Sequence, residues 1–116
     1  MHSVTSGAVA TVLANINAIE QKPNTTHTLW LNGSATPDTS TTMNVAFSFP
    51  FYLRNVNYSI NITQIFIENI GLRNSPVISN LLKYEGGFTV FIGGFSNLTL
   101  YNAYNVRFAC VEITFA

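Results

Sequence analysis

After Pro23 the apolar residues recur at every second position, most clearly at Val45, Phe47, Phe49 and Phe51 and again at Tyr58, Ile60 and Ile62. A period of two is that of a strand with one buried face, whereas a helix would repeat every third or fourth residue. This patterning restricts residues 23–116 to an all-β reading. Pro50 has no N–H to give a ladder, so its strand is an edge or is broken there. The apolar phase slips from Ile62 to Ile65 and Ile67, as a bulge between two strand halves would produce. Asn32-Gly33, next to Leu29-Trp30-Leu31, is a strong hairpin signal, and residues 35–42, with Pro37 and Asp38, read as a polar loop. Gly86-Gly87 and Gly93-Gly94 bracket a strand over residues 88–92. Residues 77–84 fit either a strand or a helical turn, and residues 98–101 and 105–115 complete the set. Seven or so short strands with turns at this spacing predict an antiparallel β-sandwich or jelly-roll-like module over residues 23–116, with a barrel as the close alternative.

Residues 7–20 carry a different period. Ser6 or Thr5 can supply an N-cap oxygen, and Pro23 ends the segment. Val9, Val12, Ile16 and Ile19 are spaced three, four and three, the a/d spacing of a coiled coil. β-branched residues at both positions favour three or four strands over two. Leu13 widens the stripe on one flank. A helix packed on its own domain is the commoner use of such a stripe, but a terminal helix of about fourteen residues is too short to be stable alone in water. Residues 1–22 therefore read as a short helical trimerisation segment.

Charge narrows the partners. Charged residues make up 9% of the chain and the net charge is zero, against about 25% charged in an average domain. Five scattered basic residues form no footprint for nucleic acid. Polarity comes instead from 14 Asn, 13 Thr and 9 Ser. Without charge repulsion to keep copies apart, much of the surface is expected to be covered by other copies of the chain. The apolar share, 47%, argues against disorder. No apolar stretch approaches the eighteen or so residues of a membrane span, so no membrane insertion is expected. Met1-His2 leads into Ser and Thr without the charged and apolar regions of a signal peptide. Cys110, the single cysteine, can make no internal disulfide and reads as a buried thiol. Five sequons, at Asn24, Asn32, Asn57, Asn61 and Asn97, are what chance gives in a chain this rich in Asn, Ser and Thr.

Chemistry has few candidates. The paired glycines lack the P-loop Lys and the dinucleotide spacing. His2 and His27 are the only histidines, and no serine sits in a nucleophile elbow. Asp38, Glu68, Glu85 and Glu112 are scattered acids of the kind that occupy turns and strand edges. No cofactor, no metal and no catalytic activity are expected.

Ser3-Val4-Thr5-Ser6-Gly7-Ala8-Val9, followed by an alanine-rich helix, resembles the V-T-S-G-A-V segment that recurs in fibre proteins of tailed bacteriophages and prophages. The resemblance covers about seven residues and extends loosely to residue 20. It implies a short trimeric helical segment leading into a β-rich module, and a homotrimer made in the bacterial host cytoplasm and carried on the virion. The partners it implies are other fibre or baseplate proteins.

Recognition by surface remains. Trp30 and the five tyrosines can stack on sugar faces, and Asn donates and accepts as neutral hydroxyls require. Tyr101, Asn102 and Tyr104, with Asn97 and Asn105 nearby, form the most polar-aromatic stretch, and they join Trp30 as candidate ligand-binding residues for a bacterial cell-surface glycan. The expected function is host-surface attachment by a non-enzymatic fibre module. The alternatives are a purely structural virion protein (head fibre, decoration protein or trimerising fibre tip) and a lectin-like prophage domain. Light scattering behind a sizing column is expected to give a mass near three times 12.8 kDa, and Ile16→Asp, which places a charge in the heptad seam, is expected to dissociate the trimer.

Overall fold

The computed structural model describes residues 20–116. Val9, Val12, Ile16 and Ile19 lie outside the described residues, as does the predicted helix except for Glu20, and no helix occurs among the described ones. Seven strands form: β1 (Thr26–Pro37), β2 (Met43–Ser48), β3 (Tyr58–Ile67), β4 (Gly71–Asn74), β5 (Ile78–Tyr84), β6 (Gly87–Ile92) and β7 (Tyr104–Phe115). They make one antiparallel sheet in the order β4-β3-β7-β1-β2-β6-β5, so the all-β antiparallel expectation stands. The two stacked sheets of a sandwich or jelly roll do not: a single, strongly curled sheet makes a half-barrel. The reason is connectivity. β1 and β7, each twelve residues long, pair along most of their length in the middle of the sheet and join its two halves without a break.

The period of two survives in every long strand. Val45, Phe47, Val90, Ile92, Val111, Ile113 and Phe115 all face the core, while their neighbours turn outward. The phase slip in β3 is the bulge expected there: Ile62 lies opposite Val111 and Gln64 opposite Cys110, leaving Thr63 extra, and Ile65 and Ile67 return to the core. Pro50 does break its strand. β2 ends at Ser48, yet residues 49–53 keep the alternation and bury Phe49, Phe51 and Leu53. The N–H groups of Phe49 and Leu53 donate to the carbonyls of Gly86 and Glu85, both at 2.8 Å. Residues 77–84 resolve as the edge strand β5 from Ile78 onward, irregular between Ser79 and Leu82. Residues 98–101, expected as a strand, lie in a loop that ends in a turn.

Asn32-Gly33 makes no hairpin. It lies inside β1, opposite a bulge at which Arg107 and Phe108 of β7 together face Asn32, whose amide donates to the Arg107 carbonyl at 2.5 Å. Glycine is required there by close approach: a Cβ would stand 2.6 Å from the Ala46 carbonyl oxygen and 2.9 Å from Cδ1 of Phe47. The reversal comes later. β1 runs through Pro37, and residues 38–42 turn, closed by the Asp38 N–H on the Thr42 carbonyl at 2.9 Å and by the Thr39 hydroxyl, which accepts from the N–H groups of Thr41 and Thr42.

A half-barrel must still seal its open side. The Tyr58 hydroxyl of β3 lies 2.8 Å from the Tyr84 carbonyl and 2.9 Å from the Gly87 carbonyl, so it donates to the far edge of the sheet. Lys83 returns a bond to the Tyr58 carbonyl at 2.9 Å, and the Phe49 ring meets the Tyr58 ring edge-on at 5.8 Å. Farther along the gap, the Arg73 guanidinium sits over the Phe95 ring at 5.4 Å. The edges β4 and β5 do not pair with one another; side chains and the segment 49–53 close the gap.

The two ends of the half-barrel differ. At the base, the Asn24 N–H donates to the Phe115 carbonyl and the Phe115 N–H to the Thr25 carbonyl, while Gln21 bonds Asn55 and the Arg54 N–H. Gln21, near the N-terminal limit of the described residues, is thus anchored at this end. At the opposite end, the tip, the turn 38–42 is tied to the β6–β7 connection by Phe95 N–H on the Thr41 carbonyl and Leu98 N–H on the Ser40 carbonyl.

Gly33→Ala is expected to destabilise by about 1–3 kcal/mol, the usual range for overpacking, read as a lower denaturant midpoint. Burial pushes the Tyr58 phenol up to about 12 from its ordinary 10.0. A folded value above the unfolded one means that the fold favours the neutral phenol. Its contribution is complete below pH 10.0 and is lost as pH rises toward about 12. Tyr58→Phe is expected to cost about 1–2 kcal/mol at neutral pH by leaving buried acceptors unpaired. It also removes this alkaline component, as a denaturation series across pH will show.

Candidate recognition surfaces

Outward residues of β1, β7, β3 and β4, neighbours in the sheet, form an apolar row across the convex face. The Trp30 ring meets Phe108 at 5.6 Å, Phe108 stacks on Phe66 at 5.5 Å with an interplanar angle of 16°, and Phe66 stands opposite Leu72. Phe66 reaches this face because Ile65 and Ile67 on either side point inward. Trp30 is 62% and Leu72 43% exposed. Cys110, expected to be buried, stands opposite Trp30 between the inward Ala109 and Val111 and is partly exposed. Charge is sparse around the row. Arg107 pairs with Glu68 at 2.9 Å, and both are too exposed for the pair to contribute more than about 1 kcal/mol. Other outward polar groups satisfy one another across strands: Thr26 with Thr114 at 2.8 Å, Asn61 with Glu112 at 2.8 Å and Gln64 with Asn74 at 3.0 Å.

The four residues singled out from the sequence do not converge on one site. Tyr101 is 98% exposed in the turn at the tip, and Asn102 shares that turn, its N–H donating to the Thr99 carbonyl at 3.2 Å. Tyr104 opens β7 opposite Ala35, on the inward side with Val106, and is half-buried against the core. Trp30 lies five positions along β1 from Ala35, roughly 17 Å at the rise of an extended strand. The tip therefore presents Tyr101 and Asn102, and Trp30 belongs to the convex row.

Sequence reading missed a third feature. At the tip end of the β1–β2 pair, Ser34, Thr36, Pro37, Asp38, Asn44 and Ala46 line an open groove of about 320 Å³. Ser34 stands opposite Ala46 and Thr36 opposite Asn44, all four outward and exposed. The small side chains of the first pair make the hollow, and the turn after Pro37 makes its end wall. Reading residues 35–42 as a loop hid it, because only a paired strand puts Ser34 and Thr36 on one face.

The acids are dispersed, and no group of three His, Cys, Asp or Glu among the described residues could hold a metal ion. His27 lies with its ring 5.7 Å from that of Phe115. Comparison with protein-family models, with curated proteins and with solved structures finds no match to this chain.

Proposed function

We propose that this chain is a non-enzymatic, homotrimeric fibre module of a bacteriophage virion, attaching to the host surface through a bacterial glycan. One observation carries the reading. Gln21, which follows the sequence with the trimer-type heptads and the fibre-like V-T-S-G-A-V segment, is anchored at the base, while the neutral polar-aromatic turn with Tyr101 and Asn102 stands at the opposite end. A stalk at one end and an adaptable polar surface at the other is the layout of an attachment tip. Three copies on one stalk would add avidity to a weak single site.

The convex row favours a second reading, a structural virion protein. Trp30, Phe108, Phe66 and Leu72 are what a neighbouring subunit would cover. Binding of the purified full chain to immobilised bacterial envelope preparations separates the two. Attachment predicts retention on at least one preparation and loss of retention after periodate destroys its sugars. Retention on none, together with loss of assembly in Trp30→Ser, leaves the structural reading in its place.

A further inference from the structure

We infer that the groove between the outer faces of β1 and β2 is the saccharide seat, and that it takes neutral or amino sugars while excluding acidic ones. The inference rests on the attachment reading and gives it a location and a ligand class.

Hydrogen-bonding capacity marks the place. On the convex face Thr26, Asn61, Gln64 and Asn32 are engaged by protein partners, whereas the groove gathers several side chains that are not. The hydroxyls of Ser34 and Thr36, the amide of Asn44 and the carboxylate of Asp38 line the groove. None of the four has a side-chain bond to another described residue. Ser34, Thr36 and Asn44 stand on two paired strands, with Asp38 at the start of the turn that joins them, so the spacing of the first three is fixed by the ladder before any ligand arrives, and little ordering entropy opposes binding. Hydroxyls and an amide both donate and accept, and a carboxylate accepts from two neighbouring hydroxyls. The Ala46 methyl offers apolar surface for the C–H face of a sugar, and Phe91 stands opposite Asn44 on the next strand.

Volume and charge set the class. About 320 Å³ lies at the small end of small-molecule sites, enough for a short segment of a glycan and not for a bulky aromatic ligand. Among the described residues Asp38 is the only charged one of the lining, and no Lys or Arg joins it. An anion placed there would meet a carboxylate with no cation to offset it, which selects against sialic acids, uronates and phosphorylated sugars. An amino sugar would gain from the same carboxylate.

The test uses the full chain, fluorescently labelled, on an array of neutral hexose, deoxyhexose and amino- or N-acetylhexosamine oligosaccharides beside sialylated, uronate-containing and phosphorylated ones. Ala46→Tyr fills the groove, and Thr36→Val with Asn44→Ala removes its hydrogen bonds. All three positions face solvent, and an unchanged unfolding midpoint confirms that each variant folds. Binding to neutral or amino sugars is expected, with a loss of tenfold or more in both groove variants and no binding to acidic sugars. Binding that survives Ala46→Tyr, disappears only in Tyr101→Ala, or prefers acidic sugars overturns the groove assignment while attachment stands. Binding of the parent chain to no saccharide overturns both.

Discussion

A single sheet that buries one face without a second layer has to close on itself. Everything else in this domain follows from that constraint. β1 and β7 form the spine, bulges at Thr63 and at Arg107-Phe108 bend the strands, and the far edges come close enough for one tyrosine to bridge them. Bulges bend a strand and increase its twist, which curls the sheet. Tyr58 completes the closure because a buried phenol must find acceptors, and the carbonyls of Tyr84 and Gly87 lie within its reach. Phe49, Phe51, Leu53 and Phe95 then fill the space that no strand covers.

Closure has consequences for the outside. Inward positions are used up by a continuous apolar core, so every alternate residue is presented on the convex face, where it meets water or a partner. With charged side chains this scarce, the outer face divides into three kinds of surface. One is an aromatic row, one a set of cross-strand polar pairs, and one the hollow beside the β1–β2 turn. Each is positioned by the register of strands rather than by loops, which makes them stiff. The tip turn carrying Tyr101 and Asn102 is the exception, held by backbone bonds to its own neighbours.

Much of this was legible in the residues. The alternation from Val45 to Phe51, the phase slip after Ile62 and the glycine pairs around residues 88–92 each specified what forms, because side-chain period and backbone freedom are local properties. Asn32-Gly33 was misleading for a reason equally physical. The glycine serves close packing against Ala46 and Phe47, residues fourteen or so positions away that the local sequence does not show. The polar neighbours of Tyr104 suggest a surface residue, but the bulge at Arg107-Phe108 turns it toward the core with Val106.

By itself, then, the sequence determined that residues 23–116 are antiparallel β, where most strands lie and which face of each is apolar, since these depend on period and on turn chemistry. Whether the strands make two stacked sheets or one curled sheet was decided only by long-range pairing, above all of β1 with β7. The same pairing separates Trp30 from Tyr101 and brings Ser34, Thr36, Asn44 and Ala46 together. Partners across a sheet are chosen by the registers of distant segments, and no local period carries that information.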